Sequence, residues 1–399
     1  MDFNFTAGQK HLRDRCAELA ADFATRAAEH DRDASHPVEN YHRLGQEGFL
    51  HLTIPRELGG SGYDFLSHTI AFEALGHGCP STALAFNMHA SVVMPMLECD
   101  LVAAETKQFI ADLVVRQGKM IGGNFSEPGH TALLGERPLS VRADRVPGGY
   151  RITGRKMFAS MIEAADYVLV LAKPEGSSEP TAGLFALIPA NAEGRNVIAN
   201  WDTLGMRATR SDSLVLRDCF VPDEAVLLTA DDIRPFRDTG LNWLWGSYTA
   251  VYLGLAGAAY DELRKVVSNR QPAGYAQPLA WHPDVRRHVA ELAVDLEAAR
   301  LITYHSAWLR DHLGPSREAT AAMYRAKYMV GQAASRITRV ALTLGGAHGI
   351  FKGSRLEQLF RDGALAEIQP PPSDACLWNI GLDELGLDPS QVMPPMRPI

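Results

Sequence analysis

The hydrophobic period of this chain changes twice, and a chain with that pattern is confined to a helix, strand, helix order. Up to about residue 120 the apolar residues recur at helical spacing, as in Leu12, Cys16, Leu19, Ala20 and Phe23 behind a hydroxyl cap at Thr6. A glycine-rich break, IPRELGGSGY at 54–63, interrupts the helices before they resume. Between about 121 and 235 the pattern shortens to apolar runs such as Tyr167-Val168-Leu169-Val170-Leu171 and Leu184-Phe185-Ala186-Leu187-Ile188, set between Gly, Pro, Asp and Asn turns. From about 236 helical spacing returns. Met323, Ala326, Val330, Ala333, Ile337, Val340 and Leu344 alternate by three and four, the seam of a bundle helix opened by Gly314-Pro315 and closed by Gly345-Gly346. Val285, Val289, Leu292, Leu296 and Ala299 give it a packing partner. The expectation is an α+β fold with an N-terminal helical domain (1–120), a central β-barrel-like domain (121–235) and a C-terminal four-helix bundle (236–399). Residues 241–255, with Trp243, Trp245, Tyr248 and Tyr252, are apolar nearly all round and read as a buried helix or a pocket wall.

Composition narrows the function. The 399 residues carry a net charge of -8, which offers no basic field to nucleic acid, and no apolar run is long enough for a membrane span. Five cysteines without CxxC spacing indicate neither a disulfide framework nor a zinc cluster, so no metal is expected and a reducing cytoplasm fits best. The start, Met1-Asp2-Phe3-Asn4-Phe5, lacks the basic and apolar parts of a signal peptide.

Seven windows in a fixed order carry a resemblance. They are IPRELGGSG at 54–62, NFSEPG at 124–129, Arg155-Lys156-Met157-Phe158-Ala159-Ser160, LGMRATRSDSLVLRDCFVP at 204–222, Arg270, Leu344-Gly345-Gly346 and Arg361-Asp362. Together they resemble the acyl-CoA dehydrogenase flavoproteins. The resemblance implies FAD held between the β-domain and the bundle, with Phe125, Ser126, Phe158 and Ser160 at the flavin and Ser160 facing its N5 edge. It also implies that Arg270, Gly345 and Gly346 contact the far end of the cofactor across a subunit interface, in a homodimer or homotetramer. The implied substrate is an acyl thioester of CoA or a carrier protein, and the implied electron partner is an electron-transfer flavoprotein.

The base that would take the substrate's α-proton is missing from this pattern. Its usual position falls at Pro370, and the alternative on the buried helix falls at Leu244; neither side chain can exchange a proton. Trp245 stands where an arginine often accompanies that second site, and the run after Glu127-Pro128 is replaced by His130-Thr131-Ala132-Leu133-Leu134. Glu367, three residues before the vacancy, is a candidate base, as is His89 in Phe86-Asn87-Met88-His89-Ala90, although a lone histidine on an apolar helix is more often a core residue. Glu98 and Asp374 are weaker candidates, each with an ordinary surface or helix-capping role.

A more distant resemblance, to flavin-dependent monooxygenases on the same scaffold, places His89 and Ser160 beside the flavin and Gln369 where a second histidine would stand. Three functions follow. One is an FAD oxidoreductase acting on an acyl thioester with a non-standard or absent base. The second is a monooxygenase that takes reduced flavin, FMN in this case, from a flavin reductase and holds a hydrophobic substrate against Trp243, Trp245 and Tyr248. The third is a non-catalytic subunit of a flavoprotein oligomer.

Overall fold

The computed structural model describes residues 4–131 and 139–387. The chain opens with α1 (Ala7–Asp33), whose first turn is closed by a capping box: the Gln9 amide donates to the Thr6 hydroxyl, and the Gln9 side chain accepts from the Thr6 amide. Then come α2 (Val38–Gln46), α3 (Phe65–Gly78), capped by Asp64, α4 (Pro80–Glu98) and α5 (Ala104–Ala111).

Among the described residues ten strands follow: β1 (Ile121–Asn124), β2 (Ser126–Glu127), β3 (His130–Thr131), β4 (Arg142–Val146), β5 (Gly149–Ala159), β6 (Tyr167–Pro174), β7 (Gly183–Pro189), β8 (Arg195–Ile198), β9 (Asp212–Pro222) and β10 (Val226–Ala230). Helices then resume with α6 (Arg234–Asn269), α7 (Pro283–Leu313), α8 (Arg317–Gly345), α9 (Arg355–Gly363) and α10 (Ser373–Glu384). None of these helices is long and apolar enough to cross a membrane.

The main sheet runs β10-β7-β6-β4-β5-β9-β8, with β1 joining β6 in parallel, while β2 and β3 form a separate hairpin. It curls around an inner core but does not close, because β8 and β10 are edges that do not pair. The barrel-like expectation therefore holds only as curvature. Alternation along the strands makes this possible. Val168, Val170 and Ala172 of β6, with Leu184, Ala186 and Ile188 of β7, turn into the core shared with β4, β5 and β9. Leu169, Leu171, Phe185 and Leu187 turn outward and join the helical core. There Phe185 meets Phe125 and Phe236 at ring-centroid distances of 6.0 and 4.2 Å.

That helical core is one body built from both ends of the chain, with α1, α3 and α4 packed against α6, α7 and α8. At the α3–α6 crossing Gly254 lies against the Glu73 carbonyl, so close that a Cβ would collide with the backbone. The C-terminal helices comprise three long ones, α6, α7 and α8, with the shorter α9 and α10 laid on α8. The seam of α8 is buried from Met323 to Ile337, and every residue of 241–255 is buried except Leu244.

Candidate functional site

The site begins with a buried ion pair. Lys156 of β5 and Glu127 of β2 meet at 2.7 Å, both side chains fully enclosed, and Glu127 also accepts from the Ser140 amide and hydroxyl at 2.6 and 2.5 Å. Burial pushes the Lys156 pKa down to about 8. Burial also opposes the charge on Glu127, but Lys156 and Ser140 outweigh it and hold the carboxyl below its usual range. The pair fixes the Asn124–Gly129 window to the strand that delivers Ser160.

At the end of β5 the backbone is strained on both sides of Ser160: Phe158 and Met161 have φ of 59° and 62°. The turn leaves the Phe158 ring 56% exposed and edge-on to Trp201, with centroids 6.1 Å apart. The Ser160 hydroxyl lies 2.6 Å from that of Ser211, Ser211 lies 2.8 Å from the Thr209 hydroxyl, and Thr209 donates to the Met206 carbonyl at 2.9 Å.

The loop carrying these hydroxyls is held from far away in the chain. The Met206 amide donates to Asp362 Oδ1 at 2.6 Å. Arg361 reaches both oxygens of Asp31 on α1 (3.0 and 2.5 Å), Glu357 one turn back (2.6 and 2.9 Å) and the Leu204 carbonyl (3.1 Å). Arg207 adds a bond to the Asp31 carbonyl at 2.9 Å. Asp362 is fully buried, its Oδ2 has no hydrogen-bond partner among the described residues, and burial pushes its pKa up to about 7. Arg361-Asp362 thus clamps the 204–210 loop to α1 and α9, a role that spacing alone did not disclose.

At the other end Arg270 donates Nη1 to the Gly345 carbonyl at 2.8 Å. Gly346 sits beneath it with φ of 64°, and a Cβ there would lie 2.6 Å from Nη1. A side chain there would have to displace the Arg270 guanidinium, and the positive φ favours glycine. The expected far-end trio is therefore brought together within one chain.

The proton-accepting candidates are placed differently. Leu244 packs on apolar neighbours, and Pro370 is half-buried. Glu367 accepts from Gln332 at 2.6 Å and lines a groove with Asp295, Arg336 and Arg339, so it faces α8 and α7. Glu98 pairs with Arg310, and Asp374 lies in the first turn of α10.

In His89, Nε2 donates to the Leu50 carbonyl and Nδ1 accepts from the Ile121 amide, both at 2.9 Å, while burial pushes the pKa down to about 4. It is a neutral clamp between α4 and β1, with neither nitrogen left to exchange a proton. Tyr248 turns its hydroxyl toward Met88 Sδ at 3.7 Å and the Gln369 carboxamide, and burial raises its pKa.

The three aromatics expected to form one wall point to three neighbours. Trp243 packs on Phe65 and His68 of α3, Trp245 on Tyr324 of α8, and only Tyr248 reaches the place next to the absent base. A helix turns its side chains through about 100° per residue, so neighbours in sequence diverge. Phe125 is buried against Phe185, and Ser126 is half-buried at the window's edge.

His36, Glu163 and Asp212 bring ligand-type atoms within 4.8 Å, but both Asp212 oxygens are engaged by Arg210 and the amides of Asn200 and Trp201. Ala132, Leu133 and Leu134 lie outside the described residues.

Two family models match the chain: the acyl-CoA dehydrogenase N-terminal domain over residues 6–112 and the acyl-CoA dehydrogenase C-terminal domain over 238–369. The chain belongs to the acyl-CoA dehydrogenase family. It is 28% identical over 376 residues to the putative acyl-CoA dehydrogenase YdbM of Bacillus subtilis, covering 94% of this chain and 97% of that protein. Among solved structures, the glutaryl-coenzyme A dehydrogenase complex with glutaryl-CoA shares the fold with a TM-score of 0.88 at 24% identity, covering 97% and 98% of the two chains. KijD3, solved with FMN and a dTDP-linked amino-keto sugar, matches with a TM-score of 0.84 at 25% identity, covering 98% and 96%. By family this acyl-CoA dehydrogenase homologue is a flavin oxidoreductase. The neighbours of its fold include monooxygenases as well as dehydrogenases.

Proposed function

We propose that this acyl-CoA dehydrogenase homologue works as a flavin-dependent monooxygenase, taking reduced flavin and oxygen to a hydrophobic substrate. One observation carries the reading. The places where the family keeps its carboxylate hold Leu244 and Pro370, and the polar pair beside them, Tyr248 and Gln369, cannot accept a proton near neutral pH.

The residues present fit a flavin. Gly346 leaves room for the Arg270 guanidinium that a Cβ would take, the remaining Arg270 N–H groups suit phosphate oxygens, and Phe158 with Trp201 offers an apolar edge beside Ser160. When bound, the flavin would supply the electron transfer. Around it, Lys156 and Glu127 hold the strand in register, and Arg361-Asp362 holds the opposing loop. Tyr248 and Gln369 orient a polar atom of an otherwise apolar substrate. FMN and a separate flavin reductase go with this reading.

A second reading has its own support in the 28% identity to YdbM over nearly the whole chain. It is FAD-dependent oxidation of an acyl thioester, of CoA or of a carrier protein, with an electron-transfer flavoprotein as acceptor. In both readings the chain is a homodimer or homotetramer of the cytoplasm. Tyr275 and Trp281, which follow Arg270 in the chain, and Ile350 and Phe351, which follow Gly346, are each at least 60% exposed and offer apolar surface to a second copy.

One series of assays separates these readings. Flavin-loaded protein is mixed anaerobically with a panel of acyl-CoA thioesters while oxidised-flavin absorbance is followed, and is then supplied with reduced FMN, oxygen and hydrophobic amines and aromatics. Oxygenated product without thioester bleaching is the expected result. Bleaching with enoyl product overturns it in favour of the thioester reading, and inactivity in both arms leaves a non-catalytic flavin-binding subunit.

A further inference from the structure

Three hydroxyls in a row constrain one another's hydrogens, because each has a single proton to give. Thr209 Oγ1 lies 2.9 Å from the Met206 carbonyl, an atom that can only accept, so Thr209 donates there. Its oxygen is then an acceptor for Ser211 at 2.8 Å, and Ser211 having donated is in turn an acceptor for Ser160 at 2.6 Å. Ser211 and Thr209 are buried, 6% and 1% exposed, so no bulk water competes for these protons. Ser160 is half-buried and forms the outer end of the chain. Its proton points inward and its free lone pair points outward.

The anchor is itself fixed, since the Met206 carbonyl also accepts from Trp201 Nε1 at 3.0 Å and the Met206 amide is held by Asp362. Reversing the relay would turn the Thr209 proton away from the carbonyl and leave two acceptor oxygens in contact.

We propose that the Thr209–Ser211–Ser160 chain makes Ser160 a hydrogen-bond acceptor on its outward side, so that the site holds the reduced, N5–H-bearing form of a flavin in preference to the oxidised form. This rests on the flavin reading above. Thr209 and Ser211 act through Ser160 and are positioning residues. An oxidised N5 presents a lone pair and requires a donor; a reduced N5 presents N–H and requires an acceptor. The relay satisfies the second.

The test uses full-length protein and compares anaerobic affinities for oxidised and dithionite-reduced FAD and FMN, together with the reduction potential of the flavin-loaded protein. Wild type is expected to bind the reduced form more tightly. In Ser211→Ala and Thr209→Val the Ser160 proton is released to point outward. The oxidised-to-reduced Kd ratio should fall about tenfold, the size of one hydrogen bond, and the two-electron potential should drop about 30 mV. Thr209→Ser keeps the hydroxyl and should restore the wild-type ratio.

Unchanged ratios in Ser211→Ala and Thr209→Val, with flavin still bound, would overturn the relay and leave the flavin reading intact. Failure of wild type to bind either flavin would overturn that reading and the relay with it. Because the measured quantity is a ratio on one folded protein, a general loss of stability does not imitate the shift.

Discussion

Asp362 has one oxygen on the Met206 amide and the other without a hydrogen-bond partner among the described residues, and its pKa of about 7 stands well above the usual 3.8. The folded state therefore binds a proton that the unfolded chain releases, and the associated stability is present at low pH and lost as pH rises from about 4 through 7. Asp362→Asn keeps the acceptor for Met206 and removes the titration. Thermal melts should show wild type losing more Tm than the variant between pH 5 and pH 8; parallel curves would reject this.

Glu127→Gln leaves the enclosed Lys156 charge without its partner, and denaturant unfolding should show a loss of about 3–5 kcal/mol. At this scale the windows named Arg270, Gly345 and Gly346 separately, and the fold brings them into contact. The sequence was silent on Thr209 and Ser211, since hydroxyls are common in turns and only the folded loop brings them into line. It also could not tell that both nitrogens of His89 are spent on backbone groups.

The helix crossings show what periodicity can and cannot carry. The seam of α8 and the buried stretch of α6 were both readable from spacing. Which neighbour Trp243, Trp245 and Tyr248 would meet was not, because that depends on how α3, α4 and α8 surround α6. Gly254 looked like any glycine in a helix, yet it is where α6 touches α3. Gly254→Ala should push the two helices apart and cost about 1–3 kcal/mol, measured by urea unfolding, where the same change at an exposed helical site gains about 0.5–1 kcal/mol. In the sheet, unbroken apolar runs marked the strands, while their division between an inner and a helical core came only with the fold. That β8 and β10 stay unpaired depends on the curl of the whole sheet.

At the scale of the molecule, the order of helices, strands and helices was plain in the sequence, while the assembly was only implied. Placing a charge on this exposed apolar surface tests it: Trp281→Asp should shift the sedimenting species toward monomer and weaken flavin binding, since the Leu279 amide two residues before it donates to the Arg270 carbonyl. A monomeric wild type would remove the basis for a shared cofactor site.

The union of α1, α3 and α4 with α6, α7 and α8 in one core also governs how the protein is made. When the ribosome has delivered about the first 220 residues, the apolar face of α3 still lacks α6, and the loop at Met206 still lacks Asp362, which is translated 156 residues later. The emerging chain must therefore keep a half-built core shielded until its last third arrives, so chaperone supply and translation speed over α6 to α9 should limit the yield of soluble protein more than the β-domain's own folding does.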